Sequence, residues 1–270
     1  HQFVNSQLLN TIRTSLMSDL NIIKKGSYCI IELNRGRANP INTNLIIEIR
    51  KVLNNILNDK AIRGIIWKGN TDGFFSVGLD LKELFYYDES QISNFWKEWE
   101  EMLIELTSFP KPMIAAVNGY SPAGGCVLAA TCDFRVMADD PKYTIGLNEL
   151  AVGISVPENI FLLYKFWLGD KDAYQALMKG QLFSPQDALS VGLVDDIKPM
   201  SEVLPCAEKH LKRMLLATDG MLSASKLNMR RALIDGIQNA PIIPEVLKLK
   251  SWFDPSSRAI MEMVVRRLEK

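Results

Sequence analysis

The chain has 270 residues, 47% of them hydrophobic, so it can bury a substantial core at a length between one simple domain and two ordinary ones. Its 31 Lys and Arg balance 31 Asp and Glu, which excludes the basic excess of a general nucleic-acid binder. No apolar run reaches the ~18 residues of a membrane span, and no signal peptide is read at the N-terminus.

In chain order, Tyr28-Cys29-Ile30-Ile31-Glu32-Leu33 reads as a strand. Leu45, Ile49, Val52, Leu53 and Ile56 recur at helical spacing, which predicts an amphipathic helix over 42–58. Residues 62–67 read as a second strand, closed by Gly69-Asn70. Residues 74–77 form a short apolar piece that runs into Gly78, and 79–84 is helix-like. A helix is predicted over 90–108, with Trp96, Trp99, Leu103 and Leu106 in its buried stripe and Pro110 and Pro112 stopping it. Met113–Val117 reads as a strand, 124–131 as a helix and 133–138 as a strand. This β-α alternation marks an α/β fold with parallel strands. Beyond residue 157 the pattern is mainly helical: 157–168, a short helix capped by Ser184-Pro185, then 201–217, 222–238 and 254–269.

The four cysteines, Cys29, Cys126, Cys132 and Cys206, contain no C-x-x-C pair, which argues against a zinc ribbon or a thioredoxin motif. Three sit in apolar runs and read as buried free thiols, so a reducing compartment is expected.

The chemistry-bearing stretch is Asn118-Gly119-Tyr120-Ser121-Pro122-Ala123-Gly124-Gly125-Cys126, set between a strand-like and a helix-like run. Its glycines provide either positive φ or close approach. Gly119 and Gly124 have P-loop spacing, but Gly125 and Cys126 stand where Lys and Ser or Thr belong. Gly119-Tyr120-Ser121 begins like a nucleophile elbow, but Ala123 replaces the last glycine. The histidines are His1 and His210, and His210 sits in the charged run 208–213, expected to be a solvated helix face. Backbone chemistry remains: N–H groups at a helix start can hold a developing oxyanion. On spacing alone, a close-packed strand-to-helix connection accounts for the glycines better. A second turn of the same layout, 74–81 around Gly78, shifts that balance, because two such turns of one parallel sheet can open into one crevice.

The segments FFSVGLDLKEL, KPMIAAVNGYSPAGGCVLAATCDFRVMADDPKY and GLVDDI resemble the enoyl-CoA hydratase/isomerase (crotonase) superfamily, clearly over residues 25–200 and loosely in the tail. The resemblance implies a crotonase-like ββα superhelix, a spiral α/β core over 1–200 that carries an acyl-CoA site. The helical region 201–270 would then serve oligomerisation, as a homotrimer or dimer of trimers, and cover the CoA pocket. It implies that the N–H groups of Leu79 and Gly124 hold the thioester oxygen, with Gly125 keeping the turn thin. Val77, Gly78, Asp80, Leu81, Lys82 and Ala38 would line the substrate and CoA site. Lys82 would meet the ribose phosphate, or else be a solvated helix lysine. The loop Arg35-Gly36-Arg37-Ala38-Asn39-Pro40 resembles the adenine loop but departs from the commoner form at Pro40-Ile41. Lys250 and Phe253 are candidates to reach CoA from the tail. No metal site and no cofactor beyond the substrate's own CoA are expected. The compartment would be cytoplasm in a bacterium, or mitochondrial or peroxisomal matrix in a eukaryote, without secretion.

Within that family, hydration uses two glutamates, the first directly after the glycine-cysteine stretch. Val127 stands there, whereas Glu149 fills the second position in Asn148-Glu149-Leu150-Ala151-Val152-Gly153. One carboxylate suffices to move a proton from C2 to C4, so the resemblance points to Δ3,Δ2-enoyl-CoA isomerisation, with Glu149 as the proton shuttle. Glu158 is expected instead to serve the first turn of its helix. The alternatives are another acyl-CoA enzyme of the family (a hydratase, hydrolase or decarboxylase) or a catalytically silent binding protein.

Overall fold

The computed structural model describes residues 18–240 and 245–269, so the reading of the N-terminus lies outside the described residues. The chain opens with a hairpin of β1 (Leu20–Lys25) and β2 (Tyr28–Leu33), turned at Gly26 with φ +62°. Helix α1 (Thr43–Asn58) follows, then β3 (Gly64–Gly69) and the two-residue β4 (Gly73–Phe74). Next come α2 (Leu81–Leu84), α3 (Glu89–Thr107), β5 (Met113–Val117), β6 (Gly119–Pro122) and α4 (Gly124–Thr131). β7 (Phe134–Ala138) and β8 (Ile145–Gly146) lead to a 3₁₀ turn, Glu149–Val152. α5 (Glu158–Leu168), α6 (Asp170–Lys179), β9 (Leu182–Phe183), α7 (Pro185–Ser190) and β10 (Asp196–Lys198) complete the alternating part. The tail is α8 (Met200–Met214), α9 (Asp219–Met229), α10 (Arg231–Asn239), α11 (Glu245–Phe253) and α12 (Pro255–Leu268).

The main sheet has the order β1-β2-β3-β5-β7-β10, parallel except for the β1–β2 pair. A smaller sheet, β4-β6-β8-β9, is built from strands of two to four residues. These strands are too short to carry a periodic signal, so none of them stands out in the sequence as a separate strand. β1 is also missed: as an edge strand it buries only Leu20 fully, so little of it alternates. β2, by contrast, is buried almost throughout, as expected of a central strand in a parallel sheet.

Two boundaries move for identifiable reasons. The strand expected at 62–67 begins at Gly64, because pairing with β2 runs from Tyr28↔Gly64 to Leu33↔Gly69, while Ile62 still belongs to the turn and donates its N–H to Asp59 O. The helix expected over 222–238 breaks at Arg230 (φ −94°, ψ 1°). Arg230 is buried, and its guanidinium donates to Thr131 O (2.7 Å) and Cys132 O (3.0 Å) at the end of α4. A cation there satisfies carbonyls that the helix leaves unpaired.

α1 is capped by the Asn42 side chain, which accepts from the Leu45 N–H, and it buries Leu45, Ile46, Ile49, Leu53 and Ile56. It packs on α3, and α8 crosses β3, β5, β7 and β10. α11 packs on α3, and α12 packs on α2 and on the 3₁₀ turn. The last two tail helices, α11 and α12, therefore close over the end of the molecule where the two glycine turns lie.

Candidate active site

Each turn presents an amide that no acceptor takes among the described residues, Leu79 in the first and Gly124 in the second. In the first, the buried Ser76 hydroxyl donates to Asn39 O (2.7 Å) and accepts the Gly78 N–H (3.2 Å). Gly78 has φ +83°. Ile41 runs parallel to Leu79 as a bridge: the Ile41 N–H donates to Gly78 O (2.7 Å) and the Asp80 N–H to Ile41 O (2.9 Å). That pattern consumes the amides on either side of Leu79; among the described residues no acceptor takes the Leu79 N–H. In the second turn, Ala123 donates its N–H to Gly146 O (2.8 Å) and adopts φ +48°, ψ −124°. Gly124 is the first residue of α4, where N–H groups lack an intrahelical acceptor. The turns touch: a Cβ on Gly78 would lie 2.9 Å from Gly124 N.

Leu79 and Gly124 line one apolar cavity of about 60 Å³, walled by Trp96, Trp99, Ile160, Trp252 and Met261. A wider groove of about 590 Å³ opens beyond it, lined by Ala38, Val77, Lys82, Pro122 and Val264 among others. Leu79, Ile154 and Glu149 line both, which places them at the junction. Glu149 starts the 3₁₀ turn. Its Oε2 is buried without a hydrogen-bond partner among the described residues. Burial pushes its carboxyl up to about 7, partly offset by its own backbone N–H. The arrangement is thus an apolar pocket, two free amide donors and one carboxyl that exchanges a proton near neutral pH.

A family model described as Enoyl-CoA hydratase/isomerase matches residues 24–242. The chain belongs to the enoyl-CoA hydratase/isomerase family. It is 38% identical over 208 residues to enoyl-CoA delta isomerase 1, mitochondrial, of Mus musculus, covering 77% of this chain and 72% of that one. The human protein of the same name is 34% identical over 203 residues, covering 75% and 67%. A crotonyl-CoA hydratase of Syntrophomonas wolfei is 29% identical over 198 residues, covering 72% and 75%. Among solved structures, human mitochondrial delta3-delta2-enoyl-CoA isomerase superposes with a TM-score of 0.89 at 28% identity, covering 93% of this chain and 98% of that one. The fold of this family member is accordingly the crotonase-like α/β fold expected from its motifs.

Of the residues singled out in the sequence, Leu79, Gly124 and Glu149 converge on the inner cavity, and Ala38, Val77, Asp80, Leu81 and Lys82 line the outer groove. Lys82 is exposed. The Asp80 carboxylate is already engaged: it caps α2 by accepting the Glu83 N–H and pairs with Arg35 at 2.5 Å. Gly78 and Gly125 lie behind the wall. A Cβ on Gly125 would sit 2.2 Å from Ser76 O, so this glycine lets the turns pack together. In α11 it is Ser251 and Trp252 that line the inner cavity; Lys250 is exposed and Phe253 packs against the core. Glu158 is exposed in the first turn of α5, and Val127 is buried in α4. His210 departs from the solvated position expected of it: its ring stacks on Phe134 at 3.8 Å.

Sequence reasoning missed Trp252, Asn159, Glu100 and Val264 as lining residues. Residues lining an apolar cavity have the same periodic signature as residues filling a core, which is why Trp96 and Trp99 read as core stripe. Glu100 carries a polar interaction of its own.

Proposed function

We propose that this family member shifts the double bond of a 3-enoyl-CoA to trans-2-enoyl-CoA. The observation that carries this reading is the buried Oε2 of Glu149, which has no hydrogen-bond partner among the described residues, at the junction of cavity and groove beside Leu79 and Gly124. In the proposed reaction the thioester oxygen accepts from the Leu79 and Gly124 N–H groups. Glu149 takes a C2 proton, and the C–H electron pair delocalises over the thioester and the C3–C4 double bond as a dienolate. The protonated Glu149 then donates to C4, the double bond settles between C2 and C3, and the carboxylate is restored. A carboxyl with a pKa near the working pH suits both halves of such a transfer. Two fixed donors stabilise the intermediate oxyanion without reorganising.

The apolar inner cavity suits the acyl chain and the outer groove the CoA, with the exposed Lys82 available to its phosphates. The reaction needs no redox cofactor or metal, because oxidation level is conserved and CoA travels with the substrate. The buried Val127, where a hydratase would carry its first glutamate, favours isomerisation over hydration. The mitochondrial relatives support a mitochondrial compartment. The test is incubation with trans-3-hexenoyl-CoA, following the absorbance of the conjugated thioester, with crotonyl-CoA hydration measured in parallel. Isomerisation far faster than hydration is expected; hydration at an equal or higher rate overturns the reading.

A further inference from the structure

We propose that Asp196, Cys206 and His210 form a binding site for a zinc-class divalent cation where β10 meets α8. The three side chains offer one carboxylate oxygen, one sulfur and one imidazole nitrogen, all within 4.8 Å of one another. They come from two elements for a simple geometric reason. Cys206 and His210 are four apart on α8 and so share one face of that helix, one turn apart. Asp196 opens β10, which lies alongside α8 and pairs in register with β7 at Val136. The buried face of α8, carrying Val203, Ala207 and Leu211, fixes the helix against the sheet. Phe134 stacks on the His210 ring, at 18° between planes, and limits its rotation.

The donor set selects the ion. A mixture of sulfur, nitrogen and oxygen suits Zn²⁺, whereas Mg²⁺ and Ca²⁺ take oxygen ligands. Tetrahedral bonds of about 2.0–2.3 Å set the donor atoms roughly 3.3–3.8 Å apart. Closing from the observed spread therefore takes a side-chain adjustment on the order of 1 Å. Cys206 Sγ already lies 3.5 Å from Asp196 Oδ2. The other carboxylate oxygen, Oδ1, is held by Lys198 Nζ at 3.0 Å, so Asp196 can bind through Oδ2 and keep Lys198 as its outer partner. Of the remaining charges nearby, Asp195 is paired with Arg135 at 2.6 Å and stays out of the set, while Lys209 adds a cation near the thiol. On binding, the Cys206 thiol loses its proton to solvent and the thiolate sulfur bonds the metal. Three protein ligands leave the fourth position to water. The consequence is a cross-link between the last strand of the main sheet and the helix that crosses it, independent of the acyl-CoA chemistry proposed above.

The experiment is a Co²⁺ titration of the chelator-treated protein, followed by Zn²⁺ competition. Expected is one equivalent of Co²⁺ with a thiolate-to-metal charge-transfer band, displaced by Zn²⁺. Cys206→Ser should abolish the band. His210→Gln and Asp196→Asn should each weaken Zn²⁺ binding by more than about tenfold, since even loss of an outer-shell partner costs 10–100-fold. Zn²⁺ should raise the melting temperature of the wild type, relative to chelator, by more than that of any of the three variants at the same Zn²⁺ concentration. A wild type without the charge-transfer band overturns the site. So does a band that survives in Cys206→Ser, where the other three thiols are intact, or equal Zn²⁺ affinity in wild type and the other two variants.

Discussion

The two glycine turns reach the same end by different backbones. At Gly78 the glycine is needed twice. Its φ of +83° disfavours a side chain, and a Cβ would lie 2.8 Å from Ala123 Cβ and 2.9 Å from Gly124 N. In the second turn the left-handed residue is an alanine, Ala123, while Gly124 and Gly125 have ordinary φ and serve only close approach. The first turn is relaxed and tightly built. The second carries backbone strain of order 1–3 kcal/mol at the residue that turns the chain into α4. A glycine in such a motif therefore has to be assigned to conformation or to contact one position at a time.

In the proposed function both turns hold a carbonyl oxygen and Glu149 transfers the proton. The largest effect is expected of Glu149→Gln. Turnover of a 3-enoyl-CoA is expected to fall by on the order of 10²–10⁴, with acyl-CoA binding by calorimetry unchanged. Glu100→Gln, at the inner cavity but away from the outer groove, should cost far less. If Glu100→Gln loses the activity and Glu149→Gln keeps it, the base is misassigned.

Glycine by glycine, the turns should then separate. Gly78→Ala is expected to lose about 2–4 kcal/mol of stability from strain and overpacking together, as well as turnover. Gly124→Ala meets Trp99 and Ile41 side chains at 3.1 and 3.2 Å and Gly78 Cα at 3.3 Å, with no φ penalty. It should change stability by less than about 1 kcal/mol while costing roughly 10² in turnover. Urea melts and initial rates on both variants check this. Equal stability losses would mean that conformation does not distinguish the turns.

Much of this was legible in the sequence. The alternation of apolar runs fixed the parallel sheet, because β2, β3 and β5 are buried over nearly their whole length. The two turns were legible because each pairs a strand end with a glycine and a helix start. Glu149 was legible through the family resemblance, because it fills the second glutamate position in Asn148-Glu149-Leu150-Ala151-Val152-Gly153, between apolar residues. What stayed hidden arises only in three dimensions. The strain at Ala123 has no residue-type signal, the break at Arg230 answers carbonyls about a hundred residues away in sequence, and the short strands of the second sheet lack length. The cavity tryptophans are indistinguishable from core until the space between them is seen.

Glu149 also predicts a pH dependence that neither turn shares. Its carboxyl titrates at about 7 in the folded chain, against an ordinary value of 4.5. Below pH 4.5 it is protonated in both states and contributes no difference. Between 4.5 and 7 the unfolded chain ionises while the folded one holds its proton, so stability falls as pH rises. The loss totals about 3 kcal/mol and persists above pH 7. Glu149→Gln lacks this decline and should gain on the wild type between pH 5 and pH 8. Denaturant melts of both proteins at the two pH values isolate the effect, since other titrating groups cancel in the difference. A constant difference would show that the carboxyl is ordinary. Activity should run the opposite way, rising through pH 7 as the carboxylate forms.

The smallest expected effect tests the strained turn itself. Ala123→Gly removes the Cβ from a backbone at φ +48°, ψ −124°, which glycine adopts freely. Relief of strain of about 1–3 kcal/mol opposes an entropic cost in the unfolded chain of about 0.4–1 kcal/mol. A net gain on the order of 1 kcal/mol follows, read as a rise in the urea midpoint at unchanged slope. Because the Ala123 N–H bond to Gly146 O and its carbonyl bond to the Val127 N–H are backbone contacts, glycine keeps both. The Gly124 N–H should then stay in position and turnover should change little. A destabilised variant would mean that the alanine conformation is unstrained and its methyl group packs usefully. A stabilised variant with much lower turnover would mean that strain at Ala123, rather than position alone, holds the Gly124 donor in place.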